Sequence, residues 1–103
     1  MSEVKVQIVR FVEDHQPPIV EAVLLDAWGR EWAFIHKCAY FTATYLDENS
    51  TYPQQGVIGC EIIRAWRDEQ GRELCTITTE RPWDLEARDG ETRFDVLAKQ
   101  LVP

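Results

Sequence analysis

Apolar and polar residues alternate along most of this chain, as they do in strands that bury one face. Val4, Val6 and Ile8 alternate with Lys5 and Gln7, and the phase then slips to Val9 and Phe11. That slip predicts a long first strand broken by a bulge. After a polar break over 13–18, a second strand is expected at Ile19–Leu25, and a third sets Trp32, Phe34, His36, Cys38 and Tyr40 in one phase. Residues 42–56 have no period and read as one long loop, well beyond the usual ~4–6 residues. Runs over 57–67 and 72–80 form the next expected pair. Arg81-Pro82 interrupts, 83–87 and 92–97 predict a last pair, and 98–102 a closing helical turn.

The runs are joined by related turns. Asp26-Ala27-Trp28-Gly29-Arg30 and Asp68-Glu69-Gln70-Gly71-Arg72 share one pattern, and Arg88-Asp89-Gly90-Glu91 is a looser third case. An Asp that bonds nearby backbone, two free positions and a Gly for a left-handed site suit a hairpin turn with a bulge. Two segments also fit amphipathic helices, 18–28 and 61–70, each ending at a Gly cap. Both meet the shared turn and precede alternating runs rich in β-branched or aromatic residues, which favours hairpins. The expected fold is therefore mainly β: one domain over 1–103, a small antiparallel barrel of six or seven short strands. The competing folds are a two-sheet sandwich, or an α+β domain if 18–28 and 61–70 are helices.

Charge narrows the partners. The net charge is −7, with 18 acidic against 11 basic residues. Nucleic acid and anionic membranes are bound through Lys and Arg, so neither is an expected partner. No basic, apolar and small-residue leader is visible at Met1-Ser2-Glu3, and no apolar run reaches the ~20 residues of a membrane span. The cytoplasm is the expected location.

Catalytic chemistry finds little support. The three cysteines, Cys38, Cys60 and Cys75, are widely spaced and lie in apolar runs, as buried free thiols do. Together with His36 they could supply zinc ligands, but structural zinc sites draw ligands in close pairs, which this spacing lacks. No metal or cofactor is expected. Glu13-Asp14, Asp47-Glu48 and Asp68-Glu69 fall in expected loops or turns, where carboxylates keep ordinary pKa values and make poor general acids near neutral pH. Phosphate-binding glycine loops and hydrolase or metalloprotease motifs are absent as well.

The aromatic residues are the stronger signal. Trp32, Phe34, Trp66 and Phe94 fit inward strand positions, and Trp83 beside Arg81-Pro82 fits a structural cap. Trp28 instead occupies a free position of a turn, where an exposed indole is a typical binding anchor. Tyr45 and Tyr52 bracket Asp47 and Glu48 in the long loop, a composition suited to a basic protein surface. The expected function is thus a non-enzymatic, acidic protein-binding module using Trp28, Tyr45, Asp47, Glu48 and Tyr52. Neutralising a basic partner, in the manner of an immunity protein, would fit it. The alternative is a small-molecule-binding barrel with an aromatic pocket of Trp32, Trp66 and Tyr40.

Overall fold

A computed structural model describes all 103 residues, Met1–Pro103. The chain forms β1 (Ser2–Glu13), β2 (Ile19–Leu25), β3 (Glu31–Lys37), β4 (Gln54–Arg67), β5 (Glu73–Thr78), β6 (Arg93–Leu97) and β7 (Leu101–Val102). Short 3-10 turns at Cys38–Tyr40 and Ala98–Gln100 complete it. The strands make one antiparallel sheet in the order β3-β2-β1-β4-β5-β6, with β7 against β1, curled into a half-barrel. Both segments that also fitted helices are strands, and the sandwich is excluded. No helix is long and apolar enough to cross a membrane.

Alternation explains which faces are buried. Val4, Val6 and Ile8 point into one core with Val20, Ala22 and Leu24 of β2 and Phe34 of β3. The expected slip in β1 is a register shift against β2 between Ile8 and Arg10. β4 holds the two halves together: β1 pairs with its first half, from Gln54 to Cys60, and β5 with its second, from Glu61 to Arg67.

The sheet's two ends, β3 and β6, meet through side chains and loop backbone. Trp32 and Phe34 pack edge-on against Phe94 at 5.1 and 5.8 Å, contacts worth ~0.5–1.5 kcal/mol each beyond their burial. The Ala27 N–H donates to the Asp95 carbonyl at 2.8 Å, and the Arg88 N–H to that of Ala33 at 2.8 Å. These bonds satisfy edge groups that an open sheet would leave bare.

The turn chemistry is the same in both Asp hairpins. Asp26 Oδ1 accepts the N–H groups of Trp28 and Arg30 at 2.9 Å each, and Asp68 Oδ1 those of Gln70 and Arg72 at 3.0 and 2.9 Å. Gly29, Gly71 and Gly90 all sit at positive φ, at 84°, 80° and 90°. In the third turn Ala87 stands where the others have Asp, so the paired Asp bonds are lost, and Asp89 Oδ1 accepts the Glu91 N–H at 3.2 Å beside the backbone bonds.

Three local expectations are corrected. β4 begins at Gln54, inside the aperiodic stretch, so the loop is shorter than 42–56. Residues 83–87 form no strand: Asp84, at φ 54°, closes a turn onto the Glu80 carbonyl, and Leu85 bonds back to Thr79. The expected closing helical turn spans only Ala98–Gln100, after which the chain pairs with β1 as β7.

Nothing lies within 4 Å of a side chain added at Gly29 or Gly71, so backbone strain alone sets the cost there. Gly29→Val and Gly71→Val should each destabilise by ~1 kcal/mol or more. Asp26→Ala, which orphans three N–H donors, should cost ~2–3 kcal/mol. Denaturant midpoints check both, and unchanged midpoints in the valine variants would remove the turn's role in specifying the fold.

Candidate functional site

The curl brings two hairpin tips together. Trp28, in the β2–β3 turn, crosses the edge of β6 and meets Trp66 of β4, with ring centroids 6.3 Å apart and planes tilted 40°. The Trp28 Nε1–H donates to Asp95 Oδ2 at 3.4 Å, and Trp66 Nε1–H to Thr76 Oγ1 at 3.1 Å. The Thr76 hydroxyl in turn donates to Asp95 Oδ1 at 2.6 Å, so one carboxylate orients both indoles.

Arginines flank the pair. The Arg72 guanidinium lies 5.5 Å from the Trp28 ring centroid while its Nε–H donates to Asp68 Oδ2 at 2.8 Å. Burial pushes the Asp68 carboxyl upward, but hydrogen bonds from Arg72 and Gln70 and the Arg72 charge outweigh it and leave the pKa below the usual range. Arg64 lies 4.9 Å from the Trp66 ring and has no carboxylate within ion-pair distance. An open cleft of about 420 Å³ runs beside the rings, lined by Trp28, Trp66, Arg67, Asp68, Glu69, Gln70 and Arg72. Trp28 is 55% exposed, with its polar edge bonded and its ring facing water. Such a surface can hold an apolar or cationic side chain.

Trp66 corrects the sequence reading. It packs against Trp28 on the face of Leu74 and Thr76, outside the core, because a bulge at Ile63 reverses the phase of β4. The three aromatics of the expected pocket separate accordingly. Trp66 lines the cleft above, Trp32 a shallow depression with Arg30 and Asp89, and Tyr40 a third with Pro17 and Trp83.

The long loop is built differently from its expectation. Leu46 is fully buried, Asp47 Oδ1 accepts the Asn49 N–H at 2.8 Å, and the Tyr52 hydroxyl donates to the Asp47 carbonyl at 2.8 Å. Tyr52 therefore packs on the core, while Tyr45 (62% exposed) and Glu48 face solvent and Asp47 is half-buried. The loop follows β3 and the Trp28 turn precedes it. Its seven residues at ~3.3 Å each set the two roughly 23 Å apart. Trp28 and the loop residues lie at opposite ends of the strand and do not form one surface.

Cys38, Cys60 and Cys75 are buried free thiols, and no group of three or more His, Cys, Asp or Glu side chains is arranged to hold a metal. Burial, aided by Glu3 and Cys75, pushes the Cys60 thiol up to about 11. His36 packs edge-on against Tyr40 at 4.5 Å, and its Nδ1 accepts the Lys37 N–H at 3.0 Å. Burial and then the Lys37 charge hold its pKa below the ordinary 6.5.

The chain matches no protein-family model, and neither a curated protein nor a solved structure is significantly similar to it.

Two outcomes follow from the titrating groups. Between pH 6.5 and the lowered native pKa of His36, the unfolded chain binds more protons than the folded one. Stability should therefore fall as pH drops below 6.5, and His36→Gln should flatten that slope in denaturation midpoints measured across pH 5–7.5. The thiolate is the reactive form of a cysteine, so Cys60 should resist a disulfide reagent at pH 8 until denaturant is added. Rapid labelling of Cys60 in the native protein would contradict its burial.

Proposed function

We propose that this protein is a non-enzymatic, acidic binding module whose Trp28 face engages a basic protein partner. The observation that carries the reading is a tryptophan held by Asp95 and Trp66 with its ring open to solvent. Large aromatic side chains of this kind dominate interface energetics. Two further features support it. Glu69 and Asp95 lie beside the rings without an ion-pair partner, and the chain as a whole carries −7. A partner's Lys or Arg can stack on Trp28 and reach these carboxylates, combining a cation–π contact with an ion pair. The negative charge disfavours nucleic acid and anionic membranes as partners. Three buried free thiols fit the reducing cytoplasm.

Tyr45, Asp47 and Glu48, at the other end of β3, act at a distance in this reading. The charges of Asp47 and Glu48 help steer a cationic partner without anchoring it.

The test is affinity capture from the source cells followed by binding kinetics with the recovered partner. Trp28→Ala should keep the circular dichroism of the parent and weaken binding by ~2 kcal/mol, about 30-fold, through faster dissociation. The double variant Asp47→Lys, Glu48→Lys should slow association and leave dissociation unchanged. Full affinity in a folded Trp28→Ala protein would overturn the reading.

A further inference from the structure

The second half of β4 has a bare edge. β1 leaves β4 at Ser2, opposite Cys60, while β4 continues to Arg67 with only β5 beside it. No other backbone group bonds this run. Its side chains are apolar for an exposed strand: Ile62 is 41% and Ile63 39% exposed, and Ala65 is open to solvent although it shares the face of core residue Cys75. An unpaired edge with exposed isoleucines is a template for another strand.

The order of residues fits one occupant, a second copy of the same edge. Antiparallel pairing keeps directly opposed residues on one face. A two-fold axis through Ala65 sets Arg64 opposite Trp66 of the other copy, and Trp66 opposite the other Arg64. Both residues lie on the face of Thr76 and Leu74, so the phases agree. Arg64 has no carboxylate within reach and lies 4.9 Å from the Trp66 ring of its own chain, so the pairing sets two such Arg64–Trp66 stacks side by side across the axis. Ala65 meets itself at the axis, where two methyl groups lie side by side on one face without crowding. Pairing over 63–67 places the bulge at Ile63 at the end of the shared ladder and stays clear of β1, which begins opposite Cys60.

We propose that two copies of this protein join antiparallel along residues 63–67 of β4, making one continuous sheet across a two-fold axis at Ala65. The contact is self-complementary, so it closes at a dimer. It uses the strand edge and does not rest on the Trp28 reading, although Trp66 belongs to both surfaces.

Sedimentation equilibrium of the full chain tests it. The parent should sediment as a dimer that dissociates on dilution, with those amides of 63–67 that point away from β5 protected from hydrogen exchange in proportion to dimer content. Ala65→Asp sets two carboxylates against each other on the axis and should give a folded monomer with those amides unprotected. Ala65→Ser, small and uncharged, should keep the dimer. A parent that stays monomeric at every concentration overturns the proposal. So does a dimer that survives Ala65→Asp, and one that is lost only in Trp28→Ala would assign self-association to the tip instead.

Discussion

The carboxylate of Asp26 is the interaction on which the rest of the structure turns. It is buried, yet it accepts the N–H groups of Trp28 and Arg30 and the Trp32 Nε1–H at 2.8 Å, so its charge is answered on every side. With the turn fixed, the Ala27 N–H reaches β6 and joins the two ends of the sheet. The same bonds set where Trp28 leaves the turn and where Trp32 enters the core. A buried acceptor with three donors is costly to remove, because all three lose their partner at once.

Asp68 repeats the local motif without the same reach. Its turn lies at an exposed tip, and its second oxygen holds Arg72, which then stacks on Trp28. Two copies of one turn therefore do different work: the first closes the sheet, and the second supports one wall of the cleft. The third, with Ala87 in place of Asp, reverses the chain on backbone bonds, a left-handed glycine and one bond from the Glu91 N–H to Asp89.

Much of the fold was legible because its signals are local. The Asp and Gly positions of the turns, the alternation in β1 to β3 and the slip after Ile8 each depend on a few neighbouring residues. Trp66 was misplaced because alternation counted on from Ile58 and Cys60 puts it inward, and nothing in the sequence marks the bulge that turns it out. Tyr52 looked like a free loop residue, although the isolated Leu46 was the available sign that the loop folds onto the core. The meeting of Trp28 and Trp66 had no sequence signal at all. It arises from the curl of the whole sheet, and so the candidate site was half visible, as one exposed indole without its neighbour.

The hydrogen bond from Trp28 to Asp95 carries a consequence for recognition. An exposed tryptophan on a mobile tip would surrender torsional freedom on contact, and that loss is charged against affinity. Here the turn backbone is locked by Asp26, and the indole is fixed at its nitrogen by Asp95 and at its face by Trp66. In the proposed binding role, a ligand would meet an indole already bonded in place, which lowers the ordering cost on this side of the contact.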